Sequence, residues 1–543
     1  MARCEPLETT ITCDVCVVGA GPAGAVLAVA LAASGKQVAL IDQGPRYAPE
    51  VRSELTLRRS KELANSLTVD FNDKWNAAFK SGGVHNTGPD HWEGMRLAGA
   101  GGTSLHWNAN TPRPLAEDFA MRTLFGFGRD FPITYGELRP WLLRAEHELG
   151  VASDDDNPYA TPREATFPMP ANGPTEFESE VLVPGAKRLG WVAHSTPWAI
   201  NSRPFDGRPQ CQRCRYCTAC PSGARYSADR SHLLRLIKFP NAQLMTETKV
   251  IRLESAASGD RISTAHAVKP DGSTVIVKAA SFVLAMGTVE TTRMLLTSGQ
   301  RAADRDGLGN AGGQLGVGFS DHLMNIATLT SKKTGSHLYG YPTRAIDHFR
   351  TRIDRRQQNG FLMHFSPGPV LEFPLSEEHL RRASQGGELS LSTLRHDIMH
   401  GVTAVAITEV GGPGRLSLDA QHRDSWGVPE AALHFALTDR DRAPLDASYR
   451  AFQQLATELG GDVVDATWSP TKKTVVCASH PGSSAAMGTS PASGACDTDC
   501  RVFGKRNLYL ASGAVLPHQG SNNPTLEICA FALRLAHHLG AAA

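Results

Sequence analysis

The chain contains 543 residues, of which 41% are hydrophobic and 20% are charged, the composition of an ordinary folded protein. Its 55 Lys and Arg residues nearly balance its 54 Asp and Glu residues, so no charge excess predicts binding to nucleic acid or to an anionic membrane. No uninterrupted apolar run reaches the roughly 18 residues that a membrane span requires. The length allows two substantial domains or one domain with a large insertion.

The N-terminal stretch "CDVCVVGAGPAGAVLAVALAASGKQVALIDQG" (13–44) predicts a dinucleotide site. Gly19, Gly21 and Gly24 form the pattern G-x-G-x-x-G between a buried strand, 14–18, and a helix of small residues. The first glycine permits a tight turn, the second lets the backbone approach a pyrophosphate, and the third brings helix and strand close together. The positive end of the helix attracts the phosphates.

After the helix, predicted over 23–33, a second strand is predicted over 38–41, and Asp42 ends it. At this position an acidic side chain accepts hydrogen bonds from ribose hydroxyls. The segment alone does not decide between FAD and NAD. Its apolar part lacks a basic flank and is interrupted by glycines and a proline, unlike a signal peptide. We therefore expect a cytoplasmic protein, or a periplasmic one if a partner subunit exports it.

Four cysteines are evenly spaced in the middle of the chain, in "CQRCRYCTACPSG" (211–223): Cys211, Cys214, Cys217 and Cys220. Thiolates at this spacing can converge on one metal centre, and the run resembles the ferredoxin pattern, which has one more residue before its last cysteine. Three interpretations stay open: an iron–sulfur cluster, a zinc ion with four thiolates, and disulfides or free thiols. Zinc usually takes two separated C-x2-C pairs, and short adjacent loops strain disulfides.

Residues 324–475 carry a different pattern, which predicts a sheet backed by helices. Strands are predicted in "GVTAVAITEV" (401–410) and "RLSLD" (415–419), joined by a "GGPG" turn, and in "WGVPEAALHFAL" (426–437). An amphipathic helix is predicted in "APLDASYRAFQQLATELGG" (443–461). The weakly periodic residues 324–400 are interpreted as a lid or a subunit contact.

Five segments, taken in order, resemble the glucose–methanol–choline (GMC) oxidoreductases, and above all their pyranose oxidases and bacterial FAD-dependent sugar dehydrogenases. They are "GAGGTSLHWNANTPR" (99–113), "FVLAMGTVETTRMLLTSG" (282–299), "GQLGVGFSDHL" (313–323), "ASHPGSSAAMG" (478–488) and "CRVFGKRNLYLASGAVLPHQGSNNPTLEICAFALRLAHHLG" (500–540). The resemblance implies an α/β GMC-type fold, in which a Rossmann-like FAD-binding domain carries an inserted substrate domain with a mainly antiparallel sheet backed by helices. The FAD-binding domain is expected over 1–323 and 476–543, including the cysteine loop 211–220, and the substrate domain, which supplies the pocket walls, over 324–475.

The resemblance also implies roles for single residues. His480 matches the family's catalytic histidine and Asn523 its partner in "NPT". His106 lies where pyranose oxidases can carry a flavin-linked histidine, although related dehydrogenases keep a similar His-Trp pair without the bond. Ser512 stands where many members have an acid, a difference that the pyranose oxidases share. The expected FAD contacts, besides the three turn glycines and Asp42, are Gly101, Gly102, Ser104, His106, Trp107, Asn108, Gly287, Pro524 and Thr525.

The residue types themselves suit the oxidation of an alcohol. Such a reaction needs a base for the hydroxyl proton, and an imidazole that titrates near neutral pH, such as His480, can supply it. The amide of Asn523 can hold the same hydroxyl without competing for the proton. Asn523 and Pro524 are also a good N-cap and first residue for a helix, whose positive end would face the flavin. His518, His537 and His538 lack such support and are interpreted as residues of the surface or behind the site.

We therefore expect FAD-dependent oxidation of a sugar or glycoside hydroxyl to a ketone or lactone, with proton removal by His480 and hydride transfer to flavin N5. Related bacterial dehydrogenases carry an iron–sulfur cluster at a similar place, which implies a cluster of three or four irons on the four cysteines. Electrons would leave to a small companion subunit, a cytochrome or a quinone; the chain has no C-x-x-C-H haem site. Two alternatives are a pyranose-oxidase-like enzyme that forms hydrogen peroxide, and a non-catalytic electron-transfer or assembly flavoprotein.

Overall fold

Three β-sheets and the helices packed on them make up the part of the fold that can be described. The computed structural model describes residues 8–47, 83–214, 217, 220–299, 301, 304–331, 343–370, 400–412 and 414–541. Its strands are β1 (Glu8–Val18), β2 (Val38–Ile41), β3 (Val84–Asn86), β4 (Ala193–Ser195), β5 (Ala242–Met245), β6 (Lys249–Ser255), β7 (Ile262–Val268), β8 (Thr274–Leu284), β9 (Val317–Phe319), β10 (Leu323–Ser331), β11 (Arg344–Ile346), β12 (Phe361–Val370), β13 (His400–Thr408), β14 (Gly414–Arg423), β15 (Pro429–Phe435), β16 (Val463–Ala466), β17 (Val476–Cys477) and β18 (Leu508–Leu510). Its α-helices are α1 (Pro22–Ala33), α2 (Met121–Phe125), α3 (Tyr135–Leu149), α4 (Val183–Arg188), α5 (His232–Leu236), α6 (Gly287–Thr297), α7 (His348–Thr351), α8 (Asp439–Glu458) and α9 (Thr525–Ala541).

The first sheet contains the N-terminal strand and is largely parallel. Its order is β5-β2-β1-β8, and the outer edge of β8 pairs with both β18 and β7, the latter followed by β6. The pairs β5–β2, β2–β1, β1–β8 and β8–β18 are parallel, whereas the pairs β8–β7 and β7–β6 are antiparallel. The second predicted strand, 38–41, is confirmed; β1 begins earlier than predicted because its polar first residues pair along β8, with Glu8 opposite Thr274.

The turn from β1 into α1 requires glycine at two positions. Gly19 has φ +106, and a Cβ there would lie 2.4 Å from the carbonyl oxygen of Ala285. A Cβ on Gly24 would lie 1.9 Å from the carbonyl oxygen of Gly19. These contacts fix the turn, the helix and the end of β8 against one another, as the spacing of the glycines predicts.

The second sheet is antiparallel and lies mainly in the inserted region. Its order is β16-β10-β13-β12-β11-β4, and β17 also pairs with β10. Helix α8 packs on β10 and β13, as the predicted sheet with a helix behind it requires, with Phe452 and Leu455 in the core between them. Strand β4 joins this sheet from residues far before the insertion. The proposed domain limits at 324 and 475 stay a prediction.

The third sheet has the order β3-β15-β14-β9. The strands predicted at 401–410, 415–419 and 426–437 are confirmed as β13, β14 and β15. However, β13 and β14 do not pair with each other: β13 lies between β10 and β12, whereas β14 pairs with β15 and β9. Much of the predicted lid or subunit contact, at 332–342 and 371–399, lies outside the described residues. Across the described ranges, no helix combines the length and apolar character needed to cross a bilayer.

The packing of α8 predicts a stability effect. Phe452 is fully buried between α8 and the antiparallel sheet, so Phe452→Ala leaves a cavity and should destabilise the protein by about 3–5 kcal/mol. Its neighbour Gln453 is exposed, and Gln453→Ala on the same helix should change little. Thermal unfolding followed by circular dichroism compares the two. Equal melting temperatures for both variants would contradict the packing described.

Candidate active site

A long cavity lies at the carboxyl ends of the parallel strands. The residues that follow β1, β2, β8 and β18 all line it, and it encloses about 1260 Å³, including the part open to solvent. In open parallel sheets this edge is where ligands bind, because loops diverge there and helix N-termini face it. The cavity has the place and the size for an extended dinucleotide.

The predicted cofactor residues divide into two groups. Seven of them line this cavity: Gly19, Gly21, Asp42, Gly102, Gly287, Pro524 and Thr525. The other six lie behind its lining: Gly24, Gly101, Ser104, His106, Trp107 and Asn108. Two of these six take part in hydrogen bonds next to the lining. Gly101 N donates a hydrogen bond to the Ala20 carbonyl, and Ser104 Oγ donates one to the Gly101 carbonyl. The direct contact of each residue with a cofactor stays a prediction.

Asp42 is held in place by the backbone of the glycine-rich turn. Its two carboxylate oxygens accept hydrogen bonds from Ala20 N, at 2.8 Å, and from Gly44 N, at 2.9 Å. Burial raises the pKa of Asp42, and these two hydrogen bonds act against the rise. A carboxylate oxygen can accept a second hydrogen bond, so the arrangement fits a ribose hydroxyl of FAD.

His480 and Asn523 meet where the dinucleotide cavity ends. Nδ2 of Asn523 lies 3.2 Å from Nε2 of His480, although 43 residues separate them in the chain. His480 lines the dinucleotide cavity, and Asn523 lines a second cavity on the other side. Asn523 comes just before α9, which packs on α1 and α3, so the helix that carries the amide is fixed to the first sheet. The pair therefore stands between a cofactor cavity and a cavity open to a substrate.

A second histidine, His322, contacts His480, and no sequence motif predicts a role for it. Nδ1 of His322 lies 3.1 Å from Nδ1 of His480, and Nε2 of His322 lies 2.5 Å from the carbonyl oxygen of Gly520. A carbonyl can only accept, so His322 carries its proton on Nε2 and accepts at Nδ1. His480 then carries its proton on Nδ1. This chain of hydrogen bonds leaves Nε2 of His480 unprotonated beside Asn523.

Asp321 fixes the backbone of the loop that carries His480. Its Oδ1 accepts a hydrogen bond from His480 N at 2.8 Å, and its Oδ2 accepts one from Trp92 Nε1 at 2.8 Å. Ser479, just before His480, has φ +60, a strained conformation for a residue with a side chain. Burial raises the pKa of Asp321 to about 7, against the effect of these hydrogen bonds. Nothing in the local sequence "SDHL" marks Asp321 and His322 as residues of the site. Only their contacts with His480 in the folded protein do.

The surroundings of His480 favour the neutral form of its imidazole. Burial lowers its pKa well below the ordinary value, and the nearby His322 and His364 lower it further. Burial also lowers the pKa of His322 to about 4 and that of His364 to about 4. All three imidazoles are therefore neutral near pH 7, so Nε2 of His480 is free to accept a proton.

The second cavity is polar and encloses about 710 Å³, including the part open to solvent. We expected its walls from the inserted domain, and this expectation is wrong in part. Asp347, Leu362 and His364 come from the insertion, but residues 110–115, 146–167 and 194–197 supply much of the lining. These residues reach the cavity because β4 pairs with β11. The pairing brings the polar connector before β4, which includes residues 146–167, to the cavity. No sequence pattern predicts that pairing.

The segment 104–107 is held by one arginine. The Arg225 guanidinium donates hydrogen bonds to the carbonyls of Ser104, Leu105 and Trp107, at 2.7–2.9 Å. His106 is enclosed between them: burial lowers its pKa to about 4, and Arg225 adds to the effect. Nε2 of His106 is buried without a hydrogen-bond partner, but His106 does not line the dinucleotide cavity, so a covalent bond to the flavin stays a prediction.

The four cysteines line one small cavity together with Arg213 and Arg225. Backbone N–H groups donate to two of the sulfurs, Arg213 N to Cys211 at 3.4 Å and Arg225 N to Cys220 at 3.2 Å. Although burial alone would raise it, the charge of Arg225 and the hydrogen bond from Arg225 N lower the pKa of the Cys220 thiol. Burial raises the pKa of Cys211 and Cys217.

The spacing of the sulfurs bears on the kind of centre. The ten cysteines in the described part of the chain are all free of disulfides. Among the described residues, His85, Asp419 and His422 form the one group of three ligating side chains whose ligand atoms lie within 4.8 Å of one another, so no three of the sulfurs are that close. A tetrahedral zinc ion with bonds of ~2.3 Å holds its sulfurs about 3.8 Å apart. A polynuclear cluster holds them further apart, because several atoms stand between them.

The remaining histidines have separate places. His518 is buried behind the site, where its Nε2 lies 2.8 Å from Oε1 of Glu409. His537 is exposed on α9, and His538 is partly buried there. Ser512 lines the dinucleotide cavity, and its side chain accepts a hydrogen bond from Ala514 N.

The fold and the site are those of a dinucleotide-binding protein with a neutral histidine at the end of the dinucleotide cavity. Sequence profiles described as GMC oxidoreductase match residues 133–324 and 412–532, together more than half of the chain, and one described as FAD binding domain matches residues 12–99. The chain belongs to the GMC oxidoreductases, FAD-dependent enzymes that act on CH–OH groups. The predictions of FAD, of the GMC-type fold and of an enzyme are confirmed, and the non-catalytic alternative is set aside.

Relatives extend over nearly the whole chain. The fructose dehydrogenase large subunit of Gluconobacter japonicus is 27% identical and covers 97% of both chains. The 6'''-hydroxyparomomycin C oxidase of Streptomyces lividus is 26% identical, over 99% of this chain and 94% of its own. Among solved structures, pyridoxine 4-oxidase from Mesorbium loti shares the fold with a TM-score of 0.64 at 17% identity, over 97% of this chain and 99% of its own.

Replacement of His480 tests the assignment of the base. Because Nε2 of His480 is unprotonated and lies 3.2 Å from the Asn523 amide, His480→Gln should slow flavin reduction by an alcohol substrate at least 10²-fold. Anaerobic stopped-flow absorbance measures the rate. His537→Gln, on the exposed side of α9, serves as the control and should reduce at the wild-type rate. An unchanged rate in His480→Gln would remove the residue from the reaction.

The lowered pKa of His480 predicts an unusual pH dependence. An imidazole with a pKa of about 6.5 would be roughly nine-tenths protonated at pH 5.5, which would cut the rate about tenfold. Because the pKa of His480 lies well below that value, the rate constant for flavin reduction should stay level between pH 8 and 5.5. Stopped-flow measurements at saturating substrate across this range decide the point. A tenfold fall centred near pH 6.5 would show that the imidazole is not desolvated as described.

Proposed function

We propose that this chain oxidises a hydroxyl group of a sugar or glycoside to a ketone or lactone with FAD. The observation that carries the proposal is the contact of 3.2 Å between His480 and Asn523 at the junction of two cavities. One cavity has the glycine-rich lining that suits a dinucleotide, and the other is polar. The relatives named as acting on fructose and on paromomycin-type compounds support a sugar-like substrate.

The chain's own residues divide the work of the reaction. FAD, when bound, supplies the acceptor for the two electrons and the hydrogen that leave the substrate carbon. His480 takes the hydroxyl proton at Nε2, since its other nitrogen is engaged with His322. Asn523 orients the hydroxyl through its side-chain amide, whose Oδ1 has no hydrogen-bond partner within the protein. Pro524 and Thr525, at the start of α9, place the positive end of a helix beside the cofactor cavity.

The electrons are proposed to leave through an iron–sulfur cluster on Cys211, Cys214, Cys217 and Cys220. The shared cavity, the N–H donors to two sulfurs and the neighbouring arginines support a centre with several negative thiolates. Arg225 contacts both Cys220 and the segment 104–107, so the cysteine cavity and the wall of the cofactor cavity are joined by one residue. The number of irons per chain distinguishes a three-iron cluster from a four-iron cluster.

An external acceptor completes the proposal. A relative of nearly equal length is named a large subunit, which supports a companion subunit, a cytochrome or a quinone as the partner here. The cytoplasmic location, or a periplasmic one reached with an exported partner, is proposed on the sequence alone. An oxygen-using oxidase that forms hydrogen peroxide is the second candidate, because a relative of similar coverage is named an oxidase.

Cofactor analysis of the protein purified without oxygen tests the electron route. We expect one FAD and three to four irons per chain, little peroxide in air, and turnover with ferricyanide. Cys217→Ser should lose iron and slow acceptor reduction, while flavin reduction by substrate stays within about twofold. Cys529→Ser, a buried cysteine outside the loop, is the control and should keep the iron. Flavin that stays in an acid precipitate would indicate a covalent bond to His106.

Iron near zero would reject the cluster and leave the oxidase as the better interpretation if peroxide matches the substrate consumed. Neither result affects the role of His480, because flavin reduction precedes both routes.

A further inference from the structure

The polar cavity beyond Asn523 has a lining whose hydrogen-bonding capacity is largely unused. Seven of its residues carry a buried side-chain N or O atom without a hydrogen-bond partner: Asn110, His194, Thr196, Asp347, Arg350, His364 and Asn523. A buried polar atom that stays unpaired costs roughly 1–3 kcal/mol, so seven around one cavity indicate a site built for a polar ligand. The first six side chains come from residues that are at least nine-tenths buried.

The unpaired atoms are mostly acceptors. Oδ1 of Asp347, Oδ1 of Asn110 and Oδ1 of Asn523 can only accept. Nδ1 of His194 lies 3.0 Å from the carbonyl oxygen of Ser195, so it carries the proton and leaves Nε2 as an acceptor in the neutral ring. The ligand that satisfies them must therefore offer several donors within a few ångströms. The ring hydroxyls of a sugar meet this need, and each can also accept from the Arg350 guanidinium.

The cations of the cavity are already paired. Arg113 and Arg163 each bind both carboxylate oxygens of Glu146, at 2.6–3.0 Å. Arg350 lies 3.5 Å from Oδ2 of Asp347, to which Asn157 also donates at 2.7 Å. Every guanidinium in this lining already has a carboxylate partner. A phosphate or carboxylate on the ligand would therefore have to compete with that partner. It would also face the exposed carboxylates of Asp154 and Asp155 in the same lining.

An amino group held beside Asp347 fits no better. This carboxylate, in the inner part of the cavity, is balanced by Arg350, so an ammonium beside it would also lie beside a guanidinium. The inner part of the cavity is therefore polar but close to neutral, whereas Asp154 and Asp155 make the exposed part of its lining negative.

We propose that this cavity is the binding site for an uncharged sugar or glycoside, without amino, phosphate or carboxylate groups, and that Asp347, His194 and His364 hold its ring hydroxyls. The inference rests on the proposed function, because it places the reacting hydroxyl at Asn523 and His480. Asp347 is a specificity-determining residue: it binds hydroxyls that do not react. Its loss should therefore weaken binding of the sugar and leave the chemical step unchanged.

The test compares Asp347→Asn with the wild type in anaerobic flavin reduction. The probes are D-fructose, D-glucose, methyl α-D-glucoside, glucose 6-phosphate, paromamine and 2-propanol. We expect the wild type to be reduced by one or more of the three uncharged sugars. For that sugar, Asp347→Asn should raise the apparent Kd at least tenfold while the limiting reduction rate stays within twofold, and the slow reaction with 2-propanol should not change.

Two further variants protect the test from a folding defect. His364→Gln should raise the same Kd, and Asp465→Asn, an exposed aspartate outside the cavity lining, should behave as the wild type. Reduction by paromamine or glucose 6-phosphate in preference to the uncharged sugars would overturn the inference and keep the proposed function. An unchanged Kd in both Asp347→Asn and His364→Gln would overturn it as well. If no alcohol reduces the flavin of the wild type, the proposed function itself fails.

Discussion

The structure depends on one hydrogen-bonded chain, which runs from the carbonyl of Gly520 through His322 to His480 and Asn523. Each link fixes the proton of the next, and the chain ends with an unprotonated nitrogen beside an amide. Such a chain works only if three separate parts of the sequence are held within a few tenths of an ångström. The first sheet, the loop held by Asp321 and the start of α9 supply that precision.

The position of this row of hydrogen bonds explains why two sheets are needed around the site. The parallel strands end at the dinucleotide cavity, whereas the antiparallel sheet and the connector before β4 form the polar cavity. The pair His480 and Asn523 lies on the border, so one side chain faces each cavity. The contact between these two side chains joins the two cavities at their border. Arg225 contacts both Cys220 and the segment 104–107, so it joins the cysteine cavity to this segment.

The sequence predicted what depends on local pattern. The glycine turn with α1, the strands β2, β13, β14 and β15, and the helix α8 follow from periodicity and from turn residues. The motif resemblance brought out His480 and Asn523, which no periodicity connects. What the sequence missed depends on contacts between distant segments: the pairing of β4 with β11, the role of His322, and the polar lining that includes Asp347. A histidine in "SDHL" and an aspartate in "AIDHF" have no local signature, since only the fold brings them to the site.

A crystal structure of the reduced, FAD-bound protein with an uncharged sugar tests the central claim most directly. We expect the flavin ring at the end of the dinucleotide cavity next to His480, with a sugar hydroxyl within hydrogen-bond distance of both His480 Nε2 and the Asn523 amide, and with the rest of the sugar in the polar cavity. A flavin ring remote from residues 480 and 523, or a sugar bound outside the polar cavity, would contradict it.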